Sequence, residues 1–345
     1  MRRELGMSVA LLLMCLGLFI SNPDFLGQSN FINTVRQVSM LGIYAVGIAF
    51  VIIAGGIDLS IGSVIGLTGV LIAKFSSPAA GCFGYSLWVG IPLAVVAALV
   101  VGGLQGLLIT RLKLQPFIVT LGGMLFIRGV SQTIVEGGTL SLSGSKLLDL
   151  ANGGLWLHNG DPLIPYPFLI FLGVVALATY VLHFTVFGRY VFALGGNRDA
   201  AEYSGINVRL VEGITYLVSA GLAGVAGVCY AAYIGQMSQQ VGVAYEMYAI
   251  AAAVLGGCSL RGGEGTVLGV LIGSAVMRVI DNGINMFQLP FVDADGIHRI
   301  WRLDPNWTFV IIGGVILIAV ILDQIVHIVQ AKRRIRRAVA ASEAA

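Results

Sequence analysis

Charge is what this sequence has least of. Asp, Glu, Lys and Arg make up 11% of the chain, against roughly 25% in a soluble domain. So little polar surface cannot keep a globular chain in water. Phosphate-binding machinery is missing too. A Walker A loop needs Gly-x-x-x-x-Gly-Lys followed by Ser or Thr, and the sequence has no Gly-Lys dipeptide. Gly262-Gly263-Glu264-Gly265 is glycine-rich but lacks the lysine. Neither His-Glu-x-x-His nor Gly-x-Ser-x-Gly occurs, which removes the common zinc-protease and serine-hydrolase arrangements. The four cysteines, Cys15, Cys82, Cys229 and Cys258, have no Cys-x-x-Cys spacing. They read as packing residues, not as a metal site or disulfide framework. Acids within the apolar runs are sparse and form no row, which argues against a proton relay. No catalytic residue, metal site or cofactor is expected on this chain.

Apolar sequence fills the space that charge leaves. Hydrophobic residues make up 57% of the 345 residues, and the mean hydropathy is +0.91. The 47 glycines suit helices packed closely in lipid. Ten apolar segments stand out, at 5–21, 34–54, 58–75, 87–110, 116–135, 165–186, 212–234, 246–258, 265–286 and 307–328. Spans need about 20 residues each. The expectation is an all-α polytopic membrane protein with about ten transmembrane helices, forming one domain over 1–345. The third and eighth segments are short or interrupted by glycine. The apolar run after Met1-Arg2-Arg3 resembles a secretory signal, but Ser21-Asn22-Pro23-Asp24 offers no cleavage site. It is read as an uncleaved first span.

Basic residues set the orientation. With ten crossings and a cytoplasmic N-terminus, Arg111, Lys113, Arg189, Arg198, Arg209 and Arg261 fall inside with Arg2 and Arg3. So does the tail 329–345, with Lys332-Arg333-Arg334-Ile335-Arg336-Arg337. Both termini are therefore expected in the cytoplasm. The tail reads as an anchor at the lipid headgroups, not as a nucleic-acid site. Two long outer loops result, 136–164 and 287–306. Their tryptophans, Trp156 and Trp301, and Trp307 just beyond, suit an interfacial belt.

The longest polar interruption on the inner side is Gly188 to Arg209. Gly195-Gly196 break an incoming helix, and Asn197 is a good N-cap. Arg198 and Glu202 stand at i,i+4, with Asp199 also in the early turns. Gly205 is a C′ stop. Two turns of capped helix result, about 10 Å long. Such a helix is either an ordinary surface loop or a docking element. A second feature is an echo: Gly55-Gly56-Ile57-Asp58-Leu59 aligns with Gly256-Gly257-Cys258-Ser259-Leu260, giving GG-x-x-L-x-x-G twice. Repeats and glycine-interrupted segments mark solute-handling regions in transporters. Asp58 is expected to cap the third span. Intramembrane polar residues are candidates for a solute path: Gln37, Gln105, Arg128, Gln132, Tyr216, Tyr230, Arg278, Asp281, Asn282 and Asn285. Arg278 and Asp281 stand at i,i+3 and can pair. Amides, hydroxyls and aromatics suit an uncharged, hydroxyl-rich solute better than an ion. For each residue alone, helix–helix hydrogen bonding is the plainer role.

Three stretches carry a family resemblance. Ala54-Gly55-Gly56-Ile57-Asp58-Leu59-Ser60-Ile61-Gly62-Ser63 resembles the signature of permeases in bacterial ABC importers for monosaccharides, the ribose, xylose, arabinose, galactose and autoinducer-2 class. Gly188 through Val208 is similar to that family's cytoplasmic loop, and Leu255 through Thr266 to a third motif. The similarity runs from about Asn33 to Asp323. It implies a multi-pass protein of the bacterial inner membrane, forming half of a permease dimer with a second copy or a sister permease. It also implies a cytoplasmic ABC ATPase that holds the ATP and Mg, and a periplasmic or extracellular sugar-binding protein. Docking to the ATPase carries over to Gly195, Gly196, Asn197, Arg198, Asp199, Ala200, Ala201, Glu202, Ser204, Gly205 and Ile206. The loop 287–306 departs from the pattern, being longer and richer in Asp and Trp. The residues also admit a motor-independent transporter or facilitator, or an ABC permease for nucleosides, riboflavin or branched-chain amino acids. The GGIDLS-type motif favours sugars.

Overall fold

A computed structural model describes residues 2–79, 81–158, 161–292, 298–302, 304, 307–318, 320, 321 and 324. The tail 329–345, Met1 and residues 293–297 of the second long loop lie outside the described residues, and so does the expected placing of the two termini. The helices are α1 (Arg2–Ser21), α2 (Gln28–Ile53), α3 (Ile61–Ser76), α4 (Leu87–Arg111), α5 (Pro116–Val135) and α6 (Leu148–Asn152). They continue as α7 (Tyr166–Phe184), α8 (Val186–Gly196), α9 (Arg198–Tyr203), α10 (Val208–Ile234), α11 (Tyr245–Leu255) and α12 (Val267–Met286). Among the described residues, seven helices are long and apolar enough to cross a membrane. Three shorter apolar ones are Ile61–Ser76, Tyr245–Leu255 and Trp307–Ile318. The fold is all-α and polytopic.

α2 is the axis of the bundle. Every residue from Ser39 to Ile53 is buried, which matches its continuous apolar run. α10 packs against α2, α3 and α4. The α4–α10 contact is made by small residues: a Cβ at Gly106 would lie 2.9 Å from the Gly213 carbonyl oxygen, and one at Gly224 would lie 3.0 Å from Ala98 Cβ. Gly102 and Gly106 form the small-x-x-x-small pattern that lets backbones approach in lipid. The outer helices α4, α5 and α7 turn Trp88, Phe126 and Phe184 outward, as lipid contact requires.

The long loops are not plain coil. β1 (Thr139–Ser141) pairs antiparallel with β4 (Gln236–Ser238), β2 (Gly154–His158) with β3 (Asp161–Pro165), and β5 (Gln288–Val292) with β6 (His298–Arg302). The β2–β3 and β5–β6 ladders close loop backbone on itself, and β1–β4 ties the first long loop to the chain after α10.

The eighth apolar segment is a broken span. α11 has 11 residues, about 17 Å of helix, short of the roughly 30 Å hydrocarbon core. The chain before it lies along α3. A Cβ at Gly69 would strike Met237, one at Gly66 would lie 2.7 Å from the Val241 carbonyl oxygen, and one at Gly62 would strike Gly242. Gly242 itself has φ +83°. Tyr245 then stacks on Tyr44, in the middle of α2, with centroids 6.1 Å apart. Irregular backbone survives at such depth only where protein satisfies it. Arg128 does so here, donating from Nη2 to the Gly242 carbonyl at 3.3 Å.

The glycine echo is a shared helix ending with a different register. Gly55 has φ +87° and Gly257 φ +92°. Gly56 N–H donates to Val51 O, and Cys258 N–H to Ala253 O, each at 2.9 Å. Both are Schellman-type ends. Gly55 therefore corresponds to Gly257, and Gly256 to Ala54, one residue away from the letter alignment. Only one glycine of each pair takes the left-handed conformation. Gly256 is small for another reason: a Cβ there would lie 2.6 Å from the Gly269 carbonyl oxygen.

The α4–α10 contact yields a test. Gly106→Val is expected to destabilise the protein by about 1–3 kcal/mol, because backbone on the partner helix cannot yield. Gly103→Ala, whose Cβ has only Leu217 Cδ1 at 3.8 Å, is expected to be close to neutral. Thermal unfolding of both variants in detergent decides.

Candidate functional site

Three glycine-rich stretches meet at one end of the bundle. α8 runs through Gly195 and Gly196 before it stops, so the pair closes this helix instead of breaking it early. Close approach explains them. Gly263 N–H donates to Ile53 O at 2.8 Å. A Cβ at Gly262 would lie 2.9 Å from both Gly55 Cα and Gly195 Cα, and one at Gly263 would lie 2.9 Å from Gly196 N. The ends of α2 and α8 and the loop before α12 thus touch through backbone alone.

α9 leaves from this node. Asn197 Oδ1 accepts from Ala200 N–H at 2.9 Å, as an N-cap does. At the other end Gly205 has φ +83°, and Ile206 N–H reaches Ala201 O at 3.2 Å. Ala201 is buried, while Asp199, Ala200, Glu202, Ser204 and Gly205 are exposed. Tyr203 is 91% exposed. It was not among the expected docking residues, although an aromatic between Glu202 and Ser204 on so polar a helix is a legible signal. The expected Arg198–Glu202 pairing gives way to a longer reach. Arg198 Nη2 lies 2.8 Å from Glu212 Oε2 on α10, where Glu212 is 8% exposed and Arg198 47%. Glu212, deeper than Glu202, offers the better-shielded carboxylate, and it raises the Arg198 pKa through their hydrogen bond. Beside α9 opens a pocket of about 610 Å³ whose lining includes Lys113, Arg198, Arg209 and Arg261.

Behind the node lies the first motif's hydrogen-bond network. Ser60, not Asp58, holds the N-cap position of α3. Asp58 instead accepts from Ser60 N–H at 2.9 Å, Ser60 Oγ at 2.7 Å and Ser219 Oγ at 2.7 Å. It ties α10 to the start of α3. Ser60 Oγ is also 3.0 Å from the Gln105 amide. That contact is to Gln105 Oε1, so the single Ser60 hydroxyl proton serves one of its two acceptors at a time. Tyr216 is buried beside Gly56, where a Cβ would strike its hydroxyl. Gln105 therefore sits in this buried network, and Tyr216 packs beside it.

A second cluster surrounds the break before α11. A cavity of about 340 Å³ is lined by Gln37, Met40, Tyr233, Tyr245, Tyr248 and Arg278, among others. Arg278 is buried. Its Nη1 meets Asp281 at 3.0 Å, its Nη2 donates to the Tyr230 hydroxyl at 2.9 Å, and its guanidinium lies 5.2 Å from the Tyr248 ring centroid. Gln37 Nε2 is 3.4 Å from the Tyr233 hydroxyl, which donates to Asn33 at 2.8 Å. Asn282 bonds Asn30 instead, at 2.8 Å. Asn285 is exposed and donates to Asp281 O. Arg128 is committed to Gly242, and Gln132 is exposed on α5. Tyr233, Tyr245 and Tyr248 were not expected here. Their signal is spacing: Tyr230 and Tyr233, like Tyr245 and Tyr248, stand at i,i+3 on one helix face. Glu246, at the edge of an apolar run, is buried against Gly62.

Over residues 30–321 the chain matches the model of the permease component of the branched-chain amino acid transport system. The chain belongs to this permease family. A ribose import permease of Haemophilus influenzae is 37% identical over 282 residues, covering 81% of this permease and 85% of the relative. The ribose import permease of Escherichia coli K12 is 34% identical over 317 residues, covering 91% and 92%. An inner membrane ABC transporter permease of Escherichia coli K12, YjfF, is 37% identical over 320 residues, covering 93% and 90%. No solved structure matches the permease. These relatives are transport subunits, not enzymes. With seven apolar helices of spanning length, the permease is a multi-pass inner-membrane protein.

The Arg198–Glu212 pair yields a second test. Arg198→Ala strands a carboxylate and is expected to destabilise by about 1–2 kcal/mol after screening of its exposed half. Arg198→Ala with Glu212→Gln is expected to cost less than the two single changes summed, by at least about 0.5 kcal/mol. A double-mutant cycle on thermal stability reads this directly; additive costs would remove the coupling.

Proposed function

We propose that this permease is the membrane subunit of an ATP-driven importer, providing the path for a monosaccharide or similar small polar solute. It works as a single transmembrane domain over 1–345, crossing ten times with both termini in the cytoplasm. The seven long and three shorter apolar helices support that count, and the basic inner residues support the orientation. Ribose import permeases matched along most of their length support a sugar as cargo.

The observation that carries the coupling role is the mounting of α9. A helix of 6 residues, capped at both ends, fixed to a backbone node and exposing Tyr203, is a rigid surface for a partner. That partner is a cytoplasmic ATPase, which holds ATP and Mg. It contacts Asn197 to Ile206, with Lys113, Arg209 and Arg261 offering positive charge beside it. A second permease copy or a sister permease completes the path, lipid surrounds the outer helices, and a periplasmic or extracellular sugar-binding protein delivers the solute.

Purification from the native host is expected to recover an ATPase with the permease. Glu202→Lys and Tyr203→Ala, both at exposed positions, are expected to cut ATP-driven uptake about ten-fold or more without loss of the folded permease, as a broken interface of about 1.4 kcal/mol or more requires. Solute flux through the permease alone, without ATP, would instead establish a facilitator.

A further inference from the structure

We propose that the tyrosine cavity beside α11 is a binding station for an uncharged, polyhydroxylated ring. The ring lies against Tyr245 or Tyr248, and its hydroxyls are met by Gln37, Tyr233 and Arg278. This inference rests on the reading of the chain as a sugar permease and names the part of the path where the solute pauses.

Location is the first argument. The cavity opens where the eighth span changes from irregular backbone to helix, at Val243 and Tyr245. Transporters place solute sites at such interruptions, because irregular backbone at membrane depth is stable only when buried in protein or lining a cavity. Its size of about 340 Å³ falls within the range of small-molecule sites.

Charge is the second argument. Arg278 is neutralised by Asp281 at 3.0 Å and held by the Tyr230 hydroxyl. With its charge already matched by Asp281, Arg278 offers an anionic solute no uncompensated cation, and as the charged group lining the cavity it repels a cationic one. A neutral solute meets neither difficulty and still finds donors. Arg278 Nε is buried without a partner. Gln37 makes only a 3.4 Å contact to Tyr233, so most of its amide capacity is open.

Surface chemistry is the third argument. Tyr44, Tyr230 and Tyr245 pack together, with Tyr230 and Tyr245 centroids 4.9 Å apart. Tyr248 carries the guanidinium on its face. Rings so braced lose little freedom when a flat, C–H-rich face stacks on them. The hydroxyl edge of the same solute then faces the donors.

The test uses the complete transporter in proteoliposomes, with its ATPase and solute-binding protein. Neutral aldopentoses and aldohexoses are the probes, and D-gluconate is the anionic comparator. Gln37→Ala and Tyr248→Ala are expected to lower sugar moved per ATP about ten-fold, while assembly and ATP hydrolysis stay near the parent's. Val243→Cys, at the rim, is expected to react with a membrane-impermeant thiol reagent more slowly during sugar transport, and at an unchanged rate with gluconate. Unchanged sugar per ATP in both alanine variants overturns the station. So does thiol labelling indifferent to sugar. Loss of stability and ATP hydrolysis together would make the residues structural and overturn it as well. If the parent complex moves none of the neutral sugars, the functional reading itself falls, and the station with it.

Discussion

Backbone-to-backbone contact at glycine is the constraint on which the rest depends. Ile53, Gly55, Gly195, Gly262 and Gly263 bring three distant stretches within van der Waals reach, with a hydrogen bond from Gly263 to Ile53. In lipid there is little hydrophobic drive between helices, so close approach and hydrogen bonding must supply the adhesion. Any side chain at the node would separate α2 from α8. The three resemblance motifs are thus one spatial object. The same logic holds at Gly106 against Gly213, and at Gly62 and Gly66 against the chain before α11.

A second constraint follows from solvent. Water is unavailable inside the bundle, so every departure from helix needs an internal donor or acceptor. That explains the internal partners of three charged groups: Arg128 on the Gly242 carbonyl, Asp58 on Ser60 and Ser219, Arg278 on Asp281 and Tyr230. At the break before α11, Arg278 Nε stays open beside neutral donors and aromatic faces.

Much of this was legible in the sequence, and the parts that were not share a cause. Helical segments, the Asn197 and Gly205 caps of α9, and the Arg278–Asp281 pair rest on local spacing, which a linear reading captures. The Asp58–Ser219 bond joins residues 161 apart, and no local rule anticipates it. Arg198 had two carboxylates within reach, and only packing chose Glu212 over Glu202. The echo was visible in letters, but its register was set by which glycine must adopt positive φ. The irregular path before α11 was hidden because Gly242 fits a turn as well as a close approach. The tyrosine pairs were legible in spacing, but their convergence on Arg278 needed the fold.

The glycine node and the tyrosine cage are joined by two rods. α2 rises from Ile53 at the node to Tyr44 at the cage, about 14 Å along its axis. α11 descends from Tyr245 to Leu255 and the Gly257 turn, beside the same node. At that end the Ile53 and Cys258 side chains both reach Gly265, so the two rods are separated by one thin apolar layer. At the other level the stacked rings of Tyr44 and Tyr245 fix the spacing of the same two rods. α2 is thus braced at two levels, by backbone contact at its Ile53 end and by the Tyr245 ring at Tyr44, about a third of its length away.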